Sequence, residues 1–576
     1  MTSAALACGI GLLAAPNCGG TGGGKPPTGD AGKTDVVAPP VVPPRATFDI
    51  VAFGRVLGTI APCGCTTEPL GGLQYAFGWL EGQGPDAATL VLEPGSFLYP
   101  DPKGAYAPPD AAGWEQAESR ASLLTTQFGQ LGDHLVSSVG PFDVVAPSGT
   151  KALQDHVLPR VVANLQAAAG LPALASHRVV ALESNGVTWK VGVTAVIDPR
   201  VAGLEPLGKP TAVEPALTST VARMREEGAA YVIVMAHGPR DFAEGLARGE
   251  LGIDLVVVGS VEGVERQRTG TPATKLGKTW VFEPGEMLQS VAHLRLSVDA
   301  SGAAVPDASS WAVVPSKADR ERELARVEAR LKKFEADPTA DPAFLARLRG
   351  ERDALSAGLD APPGDAAAVT LSQVKVTCKL PADAEAKQRL VEYDKGVAQA
   401  NIQRFTGVKP PAPAKGKAGF AGIERCEECH AEAVEFWRTT VHAKAWQTLV
   451  EVDKQYDLSC VSCHVTGYRK PGGSDLIENA GLRDVQCEVC HGPGSLHVDD
   501  GGEKLQHITL ATTAQLCAGE CHTAEHSDTF DYVPYLRDVL GKGHGEAARA
   551  KLGDGPTGAQ LRKAGLEQAG GACPKM

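Results

Sequence analysis

Three pentapeptides of the form Cys-x-x-Cys-His lie close together in the last third of the sequence. In this spacing each cysteine can add to one vinyl group of a haem, and the adjacent histidine can bind the iron as proximal ligand. Zinc sites do not require a histidine directly after every second cysteine. The pattern therefore predicts covalently bound haem c at Cys426-Glu-Glu-Cys429-His430, Cys460-Val-Ser-Cys463-His464 and Cys487-Glu-Val-Cys490-His491.

A fourth motif has an expanded spacer. Three residues separate Cys517 from Cys521, and His522 follows. Gly519 gives the spacer the backbone freedom that the longer loop needs. We expect a fourth haem here, which brings the total to about four. A disulfide between Cys517 and Cys521, or a lone structural cysteine, remains the alternative.

The second axial ligands can be predicted by counting. The proximal ligands are His430, His464, His491 and His522. Residues 420–546 contain no methionine, so a local His/Met pair is excluded, and bis-histidine ligation at low reduction potential is expected. The candidate distal ligands are the other five histidines of this region: His442, His497, His507, His526 and His544.

Composition and charge limit the remaining functions. The chain has 576 residues and a net charge of −13, which argues against nucleic acid as a partner. Residues 1–18 are expected to be an export signal or a lipoprotein leader, with Cys8 or Cys18 as the lipidated residue or with no anchor at all. Because haem c is attached outside the bacterial cytoplasm, we expect a periplasmic protein. Periplasmic redox proteins or quinol-linked membrane complexes are the expected partners.

Shifts in composition divide the chain into segments. A Gly/Pro linker is expected at 19–46, an α/β domain at 47–315, a helical hairpin with a connecting segment at 316–407, a second linker at 408–419, a multihaem domain at 420–546 and a tail at 547–576. Helices are expected at 114–131 and 382–405 and a strand at 367–377. The α/β domain should contain apolar strands at Phe48–Phe53, Thr89–Leu92, Phe142–Ala146, Val187–Ile197, Tyr231–Ala236, Ile253–Val258 and Trp280–Phe282.

Residues 420–546 resemble the cytochrome c-554 family. The resemblance rests on the motifs above, on Trp437 and His442-Ala-Lys-Ala445, on His-Val-Thr-Gly467, on His491-Gly-Pro-Gly494 with His497, and on Cys521-His-Thr-Ala-Glu-His526. It implies a mostly helical tetrahaem module that passes electrons between redox partners. It also implies that His442 and His497 are distal ligands and that one iron can be five-coordinate.

Residues 47–298 resemble the calcineurin-like metallophosphoesterases of the 5′-nucleotidase branch. The resemblance implies a two-sheet sandwich with flanking helices and, in active members, a two-metal site. Its landmarks, in order, are Leu70-Gly-Gly-Leu73, Leu92-Glu-Pro-Gly95, Val162-Ala-Asn164, Val191-Gly-Val-Thr194, Ala236-His-Gly238 and Ile253–Gly259.

The metal ligands of that family are largely missing. Arg55 begins the segment that matches the family's Asp-x-His, Gly95-Ser96 stands for Gly-Asp, Gly149-Thr-Lys-Ala152 for Gly-Asn-His-Glu, and Gly259-Ser260 for the final Gly-His. His237 alone is retained. Two divalent cations need several carboxylate, histidine and amide ligands, so we expect no phosphoesterase metal and an inactive domain.

Cys63 and Cys65 follow the first predicted strand and form a Cys-Gly-Cys pair. The pair could bind a metal, cycle between thiol and disulfide, or form a disulfide with a distant cysteine such as Cys378. For the whole chain, electron transfer is the leading hypothesis, with no catalytic residues assigned. A haem enzyme acting on a small nitrogen or sulfur compound and a metal-dependent nucleotidase-type hydrolase are the alternatives.

Overall fold

The computed structural model describes most of the chain after residue 45. The described residues are 46–62, 66–83, 86–103, 108, 110–171, 174–259, 270–298, 312–313, 317–335, 342–358, 369–475, 477, 480–523, 526–569, 571 and 573. The predictions for the leader, for the linker at 19–45, and for Cys8, Cys18, Cys63, Cys65 and Ser260 lie outside them.

The first sheet is built around strand β1, Ala46–Ala52, which is almost entirely buried because its apolar residues face other elements on both sides. It pairs in parallel with β2 and antiparallel with β12. The strand order is β13-β14-β12-β1-β2-β3. The other strands are β2 Thr89–Glu93, β3 Leu135–Ser137, β12 Ser290–Val298, β13 Ala312–Val313 and β14 Val369–Lys375.

The second sheet has the order β10-β11-β9-β8-β6-β5. The Asn185-Gly186 turn joins β5 to β6, and both residues have positive φ, 49° and 76°, as a two-residue hairpin turn requires. The strands are β5 His177–Ser184, β6 Val187–Ile197, β8 Tyr231–His237, β9 Leu255–Gly259, β10 Thr271–Leu276 and β11 Thr279–Glu283. A separate ribbon pairs β4 Leu165–Ala167 with β7 Gly208–Pro210.

Aromatic side chains join the two sheets. The ring of Trp189 in β6 lies 5.2 Å from that of Phe48 in β1 and 5.4 Å from that of Tyr231 in β8. Five helices flank the sheets: α1 Leu73–Glu81, α2 Ala111–Gly129, α3 Lys151–Asp155, α4 Val213–Glu226 and α5 Arg240–Arg248. The predicted two-sheet α/β architecture is confirmed, and we call these sheets and helices the sandwich.

The predicted strand at Phe142–Ala146 is wrong. This segment begins with a short 3-10 helix, Pro141–Asp143, which follows Gly140. The Asp143 carboxylate accepts hydrogen bonds from the backbone N–H groups of Gly140, Ser96, Phe97 and Leu98. A turn brings these groups to one carboxylate, whereas a strand would direct its backbone groups into a ladder.

A helical hairpin lies between β13 and β14 in the chain, and a long helix follows β14. The hairpin helices are α6 Lys317–Glu335 and α7 Pro342–Gly358, and Val327, Leu331 and Leu348 are buried between them. Strand β14 lies within the predicted connecting segment, yet it pairs with β12 and so belongs to the first sheet. Helix α8, Ala384–Phe405, is capped by the Asp383 carboxylate and packs against α1 and α2.

Residues 420–546, called the haem module below, and the tail form short helices, as predicted for a mostly α region. They are α9 Ile423–Trp437, α10 Ala445–Val450, α11 Leu458–Val461, α12 Cys487–His491, α13 Ser495–Asp499, α14 Ala514–Glu520, α15 Tyr532–Val539, α16 Glu546–Ala550 and α17 Gly558–Gln568. Across the described parts of the chain, none of the helices combines the length and apolar character needed to cross a membrane.

A disulfide joins Cys378, just after β14, to Cys573 at the end of the tail. The suggested bond from Cys378 to the Cys63/Cys65 pair is therefore wrong. Sequence alone gives no connectivity, because several cysteines are available and their spacing does not select a partner.

Candidate haem sites and the polar cluster of the sandwich

Each cysteine-histidine motif begins on a short helix. The first motif lies in α9, whose backbone departs from helical geometry at His430, with φ −120° and ψ 42°. The second begins in α11, the third coincides with α12, and the fourth begins in α14. All eight motif cysteines lie within the described residues and none of them forms a disulfide. The alternative of a disulfide between Cys517 and Cys521 is therefore wrong.

Three of the predicted proximal histidines are oriented by hydrogen bonds at Nδ1. The Nδ1 atom of His464 lies 2.6 Å from the Ala445 carbonyl oxygen, and that of His491 lies 2.6 Å from the Thr509 carbonyl oxygen. A carbonyl only accepts, so each Nδ1 carries the proton, which leaves Nε2 with a free lone pair for a metal. This tautomer and orientation fit an axial haem ligand.

In the fourth motif, His522 also has a hydrogen-bond partner at Nδ1, and the imidazole of His442 lies opposite its ring. His522 Nδ1 lies 3.0 Å from the Ser527 hydroxyl, and the His522 ring centre lies 6.3 Å from that of His442, with 44° between the ring planes. Imidazoles bound to one metal ion from opposite sides, with bonds of about 2 Å each, have ring centres about 6 Å apart. The pair therefore fits the two axial positions of one iron.

Burial keeps these two rings in the neutral form that binds metal. It lowers the pKa of His522 to about 4, with a further contribution from His442, and it also lowers the pKa of His442. Neutral imidazole is the ligating form, so the local environment favours coordination over protonation.

The other candidate distal histidines are placed differently. His544 is half-buried, and burial, His491 and His430 all lower its pKa, so it lies near two of the predicted proximal ligands. His497 has a buried Nδ1 and stands on α13 beside Gly502. His507 Nδ1 lies 2.7 Å from the Asp500 carboxylate, and His526 Nδ1 lies 2.8 Å from the Thr523 hydroxyl. The roles of these four as ligands remain predictions.

Sequence reasoning missed Glu488, the residue after Cys487. Its carboxylate is buried and accepts hydrogen bonds from the backbone N–H groups of Ala421, Gly422 and Gly494 at 2.7–2.8 Å. It thereby joins the start of α9, which carries the first motif, to the loop after the third motif. An acidic residue inside the motif spacer, followed by Gly-Pro-Gly, was the available signal.

In the sandwich, Arg55, which begins the segment predicted to match the family's Asp-x-His, forms a buried ion pair. Arg55 Nε and Nη2 lie 2.9 Å and 2.6 Å from the same oxygen of Glu286, and both side chains are at most 5% exposed. His237 is also buried. Its pKa is lowered to about 4 by burial and then by the positive charge of Arg55. A guanidinium in this place repels cations.

The nearby carboxylates already have partners. Asp143 accepts the four backbone hydrogen bonds described above, and Glu93 accepts from the Ser137 hydroxyl at 2.6 Å and from the Gly95 N–H at 2.8 Å. Gly259 packs so closely on Pro94 that a Cβ atom would come within 2.8 Å of the proline side chain. Within the described residues, no group of three or more His, Cys, Asp or Glu side chains has the arrangement of a metal site. These residues do not fit a pair of divalent cations.

The region of the first three motifs is similar to known cytochromes. Residues 425–492 match the family model described as cytochrome c554 and c-prime. The haem module is similar to cytochrome c-554. The cytochrome c-554 of Nitrosomonas europaea is 36% identical over 93 residues, which cover 13% of this chain and 40% of the relative. The chain thus spans less than half the length of that cytochrome.

Two solved structures are similar to larger parts of the chain at low identity. The 5′-nucleotidase precursor from Thermus thermophilus has 16% identity and a TM-score of 0.41, over 66% of this chain and 63% of that chain. A calcineurin-like phosphoesterase from Bacillus subtilis has 17% identity and a TM-score of 0.36, over 46% of this chain and 89% of that chain.

Proposed function

We propose that this chain is an exported electron-transfer protein. The haem module, similar to cytochrome c-554, carries four covalent haems, and the sandwich is a scaffold without hydrolytic activity. The observation that carries the proposal is the pair His442 and His522, whose separation and neutral form suit the two axial positions of a haem bound to the expanded motif.

The protein residues have separate tasks in this function. The paired cysteines would hold each porphyrin through thioethers, and haem, when bound, would supply reversible one-electron chemistry. The Nδ1 hydrogen bonds of His464, His491 and His522 fix the ring planes and make the imidazoles more basic. A more basic ligand favours the ferric state, which supports low reduction potentials.

The scaffold role is supported by direct contacts between the sandwich and the haem module. The Gln116 side chain in α2 accepts from the Leu458 N–H at 3.1 Å and donates to the carboxylate of Asp457 and the hydroxyl of Ser459. These residues begin α11, the helix of the second motif. Asn401 in α8 donates to the Tyr456 carbonyl at 2.8 Å. The second motif is therefore anchored on two sandwich-side helices.

Haem content provides the direct test. Chain matured with haem should have an intact mass with four covalent haems and a matching pyridine haemochrome value. The Cys517→Ser, Cys521→Ser variant should retain three. His442→Ala should turn one low-spin ferric signal into a high-spin one, whereas the control His177→Ala, in β5 of the sandwich, should not. An unmodified mass after correct maturation would rule out the cytochrome function.

Localisation and partners are part of the same proposal. Export, with or without a lipid on Cys8 or Cys18, would bring the haems to periplasmic redox proteins or quinol-linked membrane complexes. Cell fractionation and radiolabelled palmitate incorporation, with Cys8→Ser and Cys18→Ser variants, test this. Haem-loaded protein retained in the cytoplasm would contradict it.

A second candidate function is redox chemistry at an open haem iron. The observation in its favour concerns His464, whose imidazole interacts, among the described residues, with Thr448, Ala445 and Asp484 and with no second histidine. A small nitrogen or sulfur compound would then bind opposite His464. A high-spin ferric signal that is lost in the Cys460→Ser, Cys463→Ser variant, and that small ligands titrate, would support it. Exclusively low-spin haem would exclude it.

Hydrolysis by the sandwich is the least supported alternative, because Arg55 and Glu286 fill the region of the family's ligands. We expect no turnover of nucleotides or aryl phosphates with Mn²⁺ or Zn²⁺ above background. The Cys63→Ser, Cys65→Ser variant controls for adventitious zinc. Metal-dependent turnover that survives in this variant and disappears in His237→Ala would show an active site.

A further inference from the structure

We infer that the sandwich and the C-terminal tail together hold the proximal ligand of the fourth haem, with Thr67, Asp528 and Ser527 as positioning residues. This inference rests on the haem-binding function proposed above. It begins with Thr67, a buried residue of the segment between β1 and α1. Its backbone N–H lies 3.0 Å from Oδ1 and 3.1 Å from Oδ2 of the Asp528 carboxylate, and its hydroxyl lies 2.6 Å from Oδ2.

The bond to Thr67 fixes the residue next to a haem-ligand partner. Ser527 precedes Asp528, and its hydroxyl accepts from His522 Nδ1 at 3.0 Å when Nε2 binds iron. The backbone N–H of Ser527 also donates to Thr523, just beyond His522. Because Asp528 accepts three hydrogen bonds from one sandwich residue, the position of Ser527 relative to His522 depends on the sandwich.

The tail reaches the same histidine from another direction. Gly558, at the start of α17, packs on Tyr535 so closely that a Cβ atom would come within 2.5 Å of its ring. The Tyr535 ring meets the His522 ring edge-on, with centres 5.2 Å apart. Near the other end of α17, Gly565 packs on Thr67, where a Cβ atom would come within 2.8 Å. Helix α17 thus spans from Thr67 to the residue that supports His522.

The end of the tail is tied to the sandwich. Cys573 is disulfide-bonded to Cys378, and Lys379 Nζ donates to the Ala569 carbonyl at 2.6 Å. Cys378 follows β14, so the bond connects the end of the tail to the end of this strand in the first sheet. We call Thr67, Asp528, Ser527, α17 and this disulfide the clamp.

The clamp acts on the orientation and basicity of one imidazole. Removing the bonds of Asp528 lets Ser527 move, which weakens the acceptor at His522 Nδ1 and frees the ring to rotate relative to His442. The EPR g values of a bis-histidine ferric haem report the angle between the two ring planes, and the midpoint potential reports ligand basicity. Both readouts are independent of any electron-transfer activity.

The experiment uses the full-length, haem-loaded protein. The signal of the fourth haem is assigned by its loss in the Cys517→Ser, Cys521→Ser variant. Asp528→Ala should shift its g values and raise its potential, and Thr67→Val should shift the g values less. Thr67→Ser should restore the wild-type signal. The matched control is Thr279→Val, which removes a buried hydroxyl bonded to the Ile253 carbonyl within the sandwich.

The outcomes separate the clamp from the proposed function. Four haems with an unchanged fourth signal in both Asp528→Ala and Thr67→Val would overturn the clamp while leaving the cytochrome intact. Wild-type protein without a haem on Cys517 and Cys521 would overturn the clamp and the fourth haem, and only a mass without any haem would overturn the cytochrome function. Cys573→Ser should shift the same g values in the direction seen for Thr67→Val. An unchanged spectrum in this variant would remove the tail from the clamp.

Discussion

The sandwich and the haem module are stabilised in different ways. The sandwich encloses large side chains that are almost fully buried, among them Trp189, Tyr231, Phe48 and Phe128. In the haem module the principal apolar cluster is small and consists of Trp446, Leu458, Val461 and Val465, with Ala112 contributed by the sandwich. The module's helices are mostly short, and helices of this length are marginal without tertiary packing. In the proposed function, porphyrin would supply the missing apolar volume, so one chain would combine a side-chain core with a cofactor core.

The largest expected effect comes from withholding haem. Chain produced without haem attachment should lose protection across 420–546 while 46–298 stays folded, because only the module lacks a sufficient side-chain core. Hydrogen exchange of the two regions, compared with the haem-loaded chain, measures this. Equal protection of the module in both forms would show that its side chains suffice.

Truncating a core residue of the sandwich should destabilise the sandwich and leave the haem module unchanged. Trp189→Ala leaves a cavity between Phe48 and Tyr231 and should destabilise the sandwich by about 3–5 kcal/mol, the range for large aromatic truncations. Urea unfolding followed by sandwich tryptophan fluorescence measures the loss. The haem absorption spectrum of the folded variant should match wild type. A changed spectrum would mean that the two regions share one core.

The fold was predictable where one periodic signal decided the local structure. The apolar run Val187–Ile197 became β6 with the predicted bounds, and the Asn185-Gly186 signal became its hairpin turn. The segment Phe142–Ala146 is equally apolar, yet Asp143 recruits backbone N–H groups from distant residues and imposes a turn. Pattern reasoning weighs neighbours in sequence, so such a long-range carboxylate contact is invisible to it.

Breaking the buried ion pair of the sandwich should have an effect similar in size to that of Trp189→Ala. Glu286→Ala leaves Arg55 buried without its partner and should cost about 3–5 kcal/mol, the range for a broken buried pair. The double variant Arg55→Met, Glu286→Leu should recover most of this loss, because no charge is left unpaired. Urea midpoints for the single and double variants test the prediction. A double variant as unstable as Glu286→Ala would show that the pair has a further structural role.

The candidate sites also contain a local part, which could be predicted from the sequence, and a long-range part, which could not. The cysteine motifs are local, so their spacing alone was enough to predict the cysteines and the proximal histidines as haem-binding residues. The facing of His442 and His522 depends on how α10, α14 and α15 pack, and no spacing rule supplies it. Glu488 and Asp528 act through backbone groups far along the chain, which explains why residue type at one position did not reveal them.

The smallest expected effect is a pH dependence confined to the sandwich. Burial, and then the neighbouring charge of Asp143, raise the pKa of Glu93 from its ordinary 4.5 to about 8. Between these values the folded state holds a proton that the unfolded state has released. Stability therefore falls as pH rises from about 5 to 8, with a slope of at most about 1.4 kcal/mol per pH unit from this group.

Glu93→Gln keeps the volume and removes the titration, so its stability curve should be flatter than wild type across this window. The exposed control Glu183→Gln should follow wild type.

His237 contributes a slope of opposite sign to the stability curve. Its pKa is lowered to about 4, so its contribution to stability is lost as pH falls from about 6.5. Subtracting the variant curve from the wild-type curve cancels His237 and isolates Glu93. A difference that stays constant from pH 5 to 8 would mean that Glu93 is ionised in the folded sandwich, with Arg160, which shares this buried cluster, as its counter-charge.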